Sequence, residues 1–178
     1  LIQKMNDQMI FRGPDDEGVF YDGNFGCGMR RLSIIGVTNG HQPILNEDKN
    51  LVLVFNGEIY NYIELKAKLE NLGHVFSTNS DAEVVLHLFE EKGEDCILDL
   101  VGMFSFSIWN KNKRELFIAR DQFGVKPLYY YNNEDYFIYS SSVFSIMEIM
   151  DDLKIDTNSF FNYLVYSYTP RDSVMISG

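Results

Sequence analysis

The apolar run Leu51–Phe55 (LVLVF) constrains the fold more than any other stretch of this sequence. A strand without polar positions must be buried on both faces, so it requires a sheet that is covered on each side. The run stops at Asn56-Gly57, and the next helical pattern begins only near Asn61. We therefore predict that the strand is central in its sheet and leads into a loop, with Asn56 and Gly57 just past its end. A simple surface turn is the ordinary alternative for an isolated Asn-Gly pair.

Composition narrows the class of protein. The chain has 178 residues, of which 46% are hydrophobic, so it can bury one substantial core. A net charge of −11 argues against nucleic acid or an anionic membrane surface as partner. No apolar run approaches the roughly 20 residues of a membrane span. Cys27 and Cys96 match neither a metal-ligand spacing nor a disulfide framework, so the expected compartment is the cytoplasm.

Periodicity predicts both strands and helices. The Asp22-Gly23 pair is typical of a tight hairpin. Helices are predicted from Asn61 to Gly73 and from Ser80 to Gly93, each with Glu at the capping-box position (Glu64 and Glu83). Further strands are predicted at 104–108, 115–120, 128–131 and 136–139, and further helices at 143–150 and 159–166. Runs of strands with helices inserted in pairs favour an α+β layered domain.

Both ends of the sequence suggest a piece of a longer polypeptide. LIQKMNDQMI at the start has a helical pattern without a preceding cap, and DSVMISG at the end is typical of a strand that enters a turn. We therefore expect one domain over residues 1–178, truncated at both ends.

The chemistry of the Asn56-Gly57 pair points towards stabilisation of an anion. A glycine at a strand end lets a ligand approach the backbone closely, and an adjacent Asn offers a side-chain amide beside the glycine N–H. Two donors that converge on one point can stabilise the oxygen that becomes negative during acyl transfer.

Further motifs occur in order along nearly the whole chain. They are RGPD at 12–15, RLSII at 31–35, GHQP at 40–43, SDAE at 80–83, GMFSF at 102–106, ARD at 119–121 and GVKPLYY at 124–130. Together these blocks resemble the class II glutamine amidotransferase domain, most closely the glutaminase domain of the asparagine synthetases. The resemblance implies the N-terminal-nucleophile fold, a four-layer αββα sandwich with two mainly antiparallel sheets between helix layers.

The resemblance also implies roles for individual residues. Asn56 and Gly57 correspond to the oxyanion donors, Arg31 to the group that binds the glutamine α-carboxylate, and Asp81 to the partner of its α-ammonium. Without the motif, Arg31 would be read as a surface cation, and Asp81 as an acid favoured by the dipole of its helix. The resemblance further implies that a wall of the glutamine pocket is formed by Leu32, Ser33, Ile34 and Ile35. It implies that the substrate also contacts Glu58.

The nucleophile that the resemblance implies, an N-terminal Cys whose own α-amino group is the base, is not in this chain. Cys27 and Cys96 are interpreted as buried small hydrophobic residues. Phe11 and Met29 stand where the family usually has His, which leaves the subfamily open. His41, His74 and His87 show no metal spacing, so no metal site is expected. The KPLYY segment at 126–130 is expected to be architectural.

Three functions compete. The first is the glutaminase domain of an asparagine synthetase, which would release ammonia from glutamine for a C-terminal synthetase domain in the same polypeptide. The second is the equivalent domain of another class II amidotransferase, for example one that amidates a sugar or polysaccharide. The third is a non-catalytic domain that binds glutamine and has lost the nucleophile. In the first case this domain needs no cofactor, ATP and Mg²⁺ belong to the synthetase domain, and a homodimer is compatible with the family.

Overall fold

The computed structural model describes residues 1–32, 40–150, 153–169 and 176–177. Over these residues the chain is α+β, as predicted. The helices are α1 (Ile2–Asp7), α2 (Tyr62–Leu72), α3 (Asp81–Lys92), a 3₁₀ helix (Gly93–Leu98), α4 (Val143–Met147) and α5 (Thr157–Tyr166). The strands are β1 (Asp16–Asp22), β2 (Phe25–Arg31), β3 (Ile44–Leu45), β4 (Leu51–Ile59), β5 (Gly102–Asn110), β6 (Glu115–Arg120), β7 (Tyr129–Asn132), β8 (Phe137–Ser140), β9 (Lys154–Ile155) and β10 (Ile176–Ser177). None of the helices over the described ranges has the length and apolar character needed to cross a membrane.

Four antiparallel strands in the order β3-β4-β5-β6 form the largest sheet of the described residues. The prediction that Leu51–Phe55 is a central strand is confirmed, because β4 pairs with β5 along its whole length and with β3 at its start. Its side chains are buried on both faces. Leu51, Leu53 and Phe55 contribute to one hydrophobic cluster, whereas Val52 belongs to another.

These clusters define four layers. On one face of the sheet, α2 and α3 pack against β4 and β5 through the largest cluster. On the other face, the β1-β2 hairpin packs through Phe20, Phe25 and Cys27 against Val52 and Trp109. The β7-β8 hairpin lies in the same layer, joined to β5 by a 2.9 Å hydrogen bond between the hydroxyls of Ser107 and Tyr139. Helices α1 and α4 cover the β7-β8 hairpin through a third cluster.

The layer order is therefore helices, sheet, hairpins, helices, in agreement with the predicted αββα arrangement. Within the described residues, the second strand layer consists of two separate two-stranded hairpins instead of one continuous sheet. The serines of β5 face away from the helix-side core, as their alternation predicts, yet Ser105 and Ser107 are buried because the hairpin layer covers them.

The two predicted capping boxes are only partly present. Ser80 does cap α3, accepting from the Ala82 N–H at 3.3 Å, but Glu83 binds the backbone and hydroxyls of Ser77 and Thr78 instead of the cap residue. Asn61 precedes α2 without capping it. Its side-chain amide instead donates to the Asp99 carbonyl and accepts from the Val101 N–H. The helix starts were correct to within about a residue, but for α2 the predicted capping mechanism was wrong.

Candidate glutamine site

Asn56 and Gly57 lie inside strand β4 and not beyond it, which corrects the predicted strand end. β4 continues to Ile59, with Asn56 opposite Ser105 and Gly57 opposite Phe104 on β5. The apolar run is interrupted after Phe55 because the side chains of Asn56 and Glu58 line a cavity, whereas Ile59 at the strand end is again buried in the helix-side core. The pair does not form a hairpin turn, so the alternative of a surface turn is excluded.

Within the described ranges, the outer edge of β4 has no strand partner beyond residue 53, because β3 pairs only with Val52 and Leu53. Side chains bond to part of this edge. The buried amide of Gln42 accepts from the Phe55 N–H at 2.7 Å and donates to the Phe55 carbonyl at 3.0 Å. Four residues further on, the Ile59 N–H donates to the Asp81 carboxylate at 2.8 Å.

Gly57 lies midway between these two bonded positions. Successive backbone N–H groups in a strand alternate in direction, so the Gly57 N–H points to the same open edge as those of Phe55 and Ile59. Gly57 lines a cavity, as does Phe55, but the edge groups of Phe55 are occupied by Gln42. The backbone therefore presents one donor to the cavity at the position that the sequence suggested for an oxyanion.

The need for glycine at position 57 has a different origin from the predicted one. A Cβ there would lie 2.3 Å from the Met103 carbonyl oxygen and 2.8 Å from the Phe104 Cα, both on β5. The close approach of the two strands thus excludes a side chain, whereas the sequence argument attributed the glycine to close approach of a ligand.

The side chain of Asn56 points to the cavity face of the sheet. Its Nδ2 donates to the hydroxyl of Ser141 at 3.2 Å, and both residues line the cavity. One of the two amide hydrogens is used in this bond, and the second remains for another acceptor. Ser141, which directly follows β8, is a site residue that sequence reasoning missed.

Asp81 is the first residue of α3 and is 5% exposed. Burial raises the pKa of its carboxyl above the usual value, and the charge of nearby Glu58 acts in the same direction, although the Ile59 N–H partly opposes them. Two carboxylates therefore give this end of the cavity a negative potential. Such a site favours a cation that restores charge balance, for instance an ammonium group.

The opposite charge comes from β2. Arg31, at the end of that strand, is buried to 9% exposure and lines the cavity, as does Arg12. The bond from the Asp15 N–H to the Arg31 carbonyl, 3.0 Å, fixes the RGPD segment against the strand end. Arg12 belongs to the RGPD motif, which by itself predicts no role for this side chain.

All of the predicted site residues that the structure describes line a single cavity of about 830 Å³. They come from three separate segments of the chain, namely Arg31 and Leu32 at the end of β2, Asn56, Gly57 and Glu58 in β4, and Asp81 in α3. The predictions for Ser33, Ile34 and Ile35 lie outside the described residues.

Neither cysteine is suited to act as a nucleophile. Cys27 faces the cavity from β2, but burial raises the pKa of its thiol to about 12. Burial, aided by the charge of Asp99, likewise raises the pKa of Cys96 to about 12, and this residue belongs to the helix-side core. Both remain protonated at neutral pH, and the thiol form is a weak nucleophile.

The α+β fold thus brings two carboxylates, a buried guanidinium and a strand-edge N–H to one cavity. Residues 1–178 match the family described as the glutamine amidotransferase domain. The chain belongs to that family.

Among individual relatives, asparagine synthetase [glutamine-hydrolyzing] 1 of Bacillus subtilis (strain 168) is 45% identical over 175 residues, which are 98% of this chain and 28% of that protein. Asparagine synthetase [glutamine-hydrolyzing] 2 of the same organism is 49% identical over 146 residues, 82% of this chain and 19% of that protein. The chain thus spans less than a third of the length of these two relatives.

Among solved structures, glutamine phosphoribosylpyrophosphate amidotransferase from B. subtilis superimposes with a TM-score of 0.57 at 29% identity, over 67% of this chain and 28% of that one. A structure titled the allosteric regulatory enzyme of purine biosynthesis gives a TM-score of 0.58 at 29% identity, over 68% of this chain and 28% of that one. These similarities confirm the predicted fold class.

Proposed function

We propose that this chain is the glutamine-hydrolysing domain of an asparagine synthetase. The observation that carries the proposal is the convergence of Arg31, Asp81 and the Gly57 N–H on one cavity. Free glutamine carries an α-carboxylate, an α-ammonium group and a side-chain amide. The three features match these groups in charge and in hydrogen-bonding type. The names of the two B. subtilis relatives favour this enzyme over another amidotransferase.

In the proposed reaction, Arg31 binds the α-carboxylate and Asp81, with Glu58, binds the α-ammonium. A thiolate attacks the side-chain carbonyl carbon, whose oxygen becomes negative and accepts from the Gly57 N–H and the Asn56 amide. The α-amino group of the nucleophile, which took the thiol proton, gives it to the leaving nitrogen, so the C–N bond breaks and ammonia departs. Water then adds to the thioester carbon, the C–S bond breaks, and glutamate and the free thiol are released. The nucleophile is proposed to be the N-terminal cysteine of the full-length protein, because Cys27 and Cys96 are both protonated and buried.

The ammonia acceptor is proposed to be aspartate, activated by ATP and Mg²⁺ on a C-terminal domain of the same polypeptide. The greater length of the relatives supports a further domain. A cytoplasmic location is also proposed, since both cysteines are free thiols, as is usual in a reducing compartment.

The test is Arg31→Ala in the full-length protein. Loss of one partner of a buried charge pair should weaken glutamine binding by about 2–4 kcal/mol, which is about 30- to 1,000-fold. Ammonia-dependent asparagine synthesis should survive, because free ammonia bypasses the pocket. Arg114→Ala removes an exposed cation that does not line the cavity, and should change neither activity.

Parallel loss of the glutamine- and ammonia-dependent activities in Arg31→Ala would show that Arg31 is structural. Glutamine hydrolysis without any asparagine formation in the unmodified protein would favour another acceptor. Glutamine binding without hydrolysis in that protein would instead support the non-catalytic alternative.

A further inference from the structure

Four side chains that could bind a metal ion meet on the helix side of the sheet, outside the glutamine cavity. Glu47 follows β3, His74 follows α2, and His87 and Glu90 lie on α3. One ligand atom from each residue lies within 4.8 Å of all the others. The two imidazoles are well enclosed, with 1% and 12% of their side chains exposed for His87 and His74 respectively.

Four of the six separations between these atoms are close to the value for tetrahedral coordination, and all six lie within 4.8 Å. Zinc bonds to His nitrogen and carboxylate oxygen are about 2.0–2.2 Å long, so tetrahedral ligand atoms lie about 3.4 Å apart. The two Nδ1 atoms of His74 and His87 are 3.1 Å apart. Glu90 Oε2 is 2.9 Å from the Nδ1 of His87 and 3.6 Å from that of His74. Glu47 Oε2 is 3.7 Å from the His87 Nδ1.

Three of the four residues have a hydrogen-bond partner at the atom that faces away from the cluster. His74 Nε2 is 3.0 Å from a carboxylate oxygen of Glu91. His87 Nε2 is buried without a hydrogen-bond partner among the described residues, and a carboxylate oxygen of Glu83 lies 3.7 Å away. The second oxygens of the two ligand carboxylates accept from the Val75 N–H, at 3.2 Å for Glu47, and from Asn46 Nδ2, at 2.6 Å for Glu90.

For His74, Glu47 and Glu90 this is the outer-shell pattern of protein metal sites, where a carboxylate or amide orients a ligand. The arrangement leaves two nitrogens and two oxygens directed at one point. In the 3.1 Å contact between the two Nδ1 atoms, one nitrogen must donate a hydrogen and the other must accept it. The Glu90 carboxylate, 2.9 Å from the His87 Nδ1, can accept the same hydrogen, so the two contacts compete for it.

The surrounding charge also favours a cation. Four carboxylates, Glu47, Glu83, Glu90 and Glu91, surround the two imidazoles, and each is within ion-pairing distance of a histidine. None of them forms an ion pair with Lys or Arg within the part of the chain that the structure describes. Such an excess of negative charge against a buried ring is costly unless a cation offsets it.

We propose that Glu47, His74, His87 and Glu90 form a structural Zn²⁺ site. Two imidazoles with two carboxylates suit zinc, and all four coordination positions come from the protein, as in closed structural sites. The ion would connect the loop after β3 and the loop after α2 to α3. Its role would be to stabilise α3, whose first residue, Asp81, lines the glutamine cavity. This inference does not depend on the proposed function.

Sequence reasoning missed the site because it examined spacing along the chain. His74 and His87 are 13 residues apart, too far for one helix face to bring them together. The turn after α2 places His74 beside α3, and this contact exists only in the tertiary structure.

The test uses the full-length protein without a histidine tag, stripped of metal by a chelator and titrated with Co²⁺, whose visible spectrum reports tetrahedral coordination. We expect about one equivalent to bind with tetrahedral bands. His74→Ala and Glu47→Gln should lose these bands and bind at least about tenfold more weakly. Glu47→Gln retains the oxygen that accepts from Val75, so its fold should be preserved.

His41→Ala is the matched control, since His41 is a histidine with its own carboxylate partner, Asp16 at 2.8 Å, outside the cluster. It should bind Co²⁺ as the unmodified protein does. Zn²⁺ should raise the melting temperature of the unmodified protein and of His41→Ala, but not that of His74→Ala. Absence of tetrahedral bands in the unmodified protein, or equal Co²⁺ binding by all variants, would overturn the proposal.

Discussion

Asp81 has two roles that a pair of substitutions can separate. One oxygen of its carboxylate accepts from the buried Ile59 N–H at 2.8 Å, which is a structural bond. Its negative charge is proposed to bind the α-ammonium of glutamine. Asp81→Asn retains an oxygen acceptor and removes the charge, whereas Asp81→Ala removes both.

The expected magnitudes follow from the structure. In Asp81→Ala the Ile59 N–H, on a residue with 0% exposure, loses its acceptor, and the free energy of unfolding should fall by about 1–3 kcal/mol. In Asp81→Asn this bond persists. Burial raises the pKa of Asp81, so its ionised form destabilises the folded state above that pKa. The free energy of unfolding of Asp81→Asn at neutral pH should therefore equal or exceed that of the unmodified protein.

Glutamine binding should respond differently. Glu58 keeps part of the negative potential in both variants, so we expect the lower part of the range for a broken charge pair, about 2–3 kcal/mol, or about 30- to 150-fold. Urea denaturation measures stability, and calorimetric titration with glutamine measures affinity. Ammonia-dependent synthesis serves as the control for a folded protein. Wild-type glutamine affinity in Asp81→Asn would refute the proposed contact with the ammonium group.

Three further predictions concern the cavity and its surroundings. Asn56→Ala should lower glutamine turnover by about a hundredfold, with a smaller effect on glutamine binding. Ser141→Ala, which removes only the hydroxyl that accepts from Asn56, should lower turnover less. Steady-state kinetics that show equal losses of turnover in the two variants would contradict this. Cys27→Ala should leave glutamine hydrolysis unchanged, and loss of activity would make Cys27 the nucleophile. Asp121 accepts from four backbone N–H groups, which lower its pKa despite burial. Its stabilisation is therefore present above the unfolded pKa of 3.8 and is lost as the pH falls through the lower folded pKa; the acid limb of unfolding curves should be shallower in Asp121→Asn.

Most of the longer strands and helices, and several of the residues that line the cavity beside β4, could be predicted from the sequence. Strand β6 was predicted with its observed bounds, and Leu51–Phe55 was correctly placed as a central strand. Periodicity succeeds here because the burial of a side chain is set by the pitch of its own strand or helix. The ordered motifs identified Arg31, Asn56, Gly57 and Asp81, which the structure brings to one cavity.

The hydrogen bonds and the strand edge around those residues could not be predicted, because they depend on how the layers pack. Among the residues that the structure describes, β3 is only two residues long, and the edge of β4 beyond it is bonded at Phe55 by the side-chain amide of Gln42. The strand pattern could not reveal this, since a side-chain amide that substitutes for a neighbouring strand leaves no periodic signal. The contact between His74 and His87 is of the same kind. Hydrogen bonds between residues distant in the chain depend on how the layers pack, and local preferences of the sequence do not encode that packing.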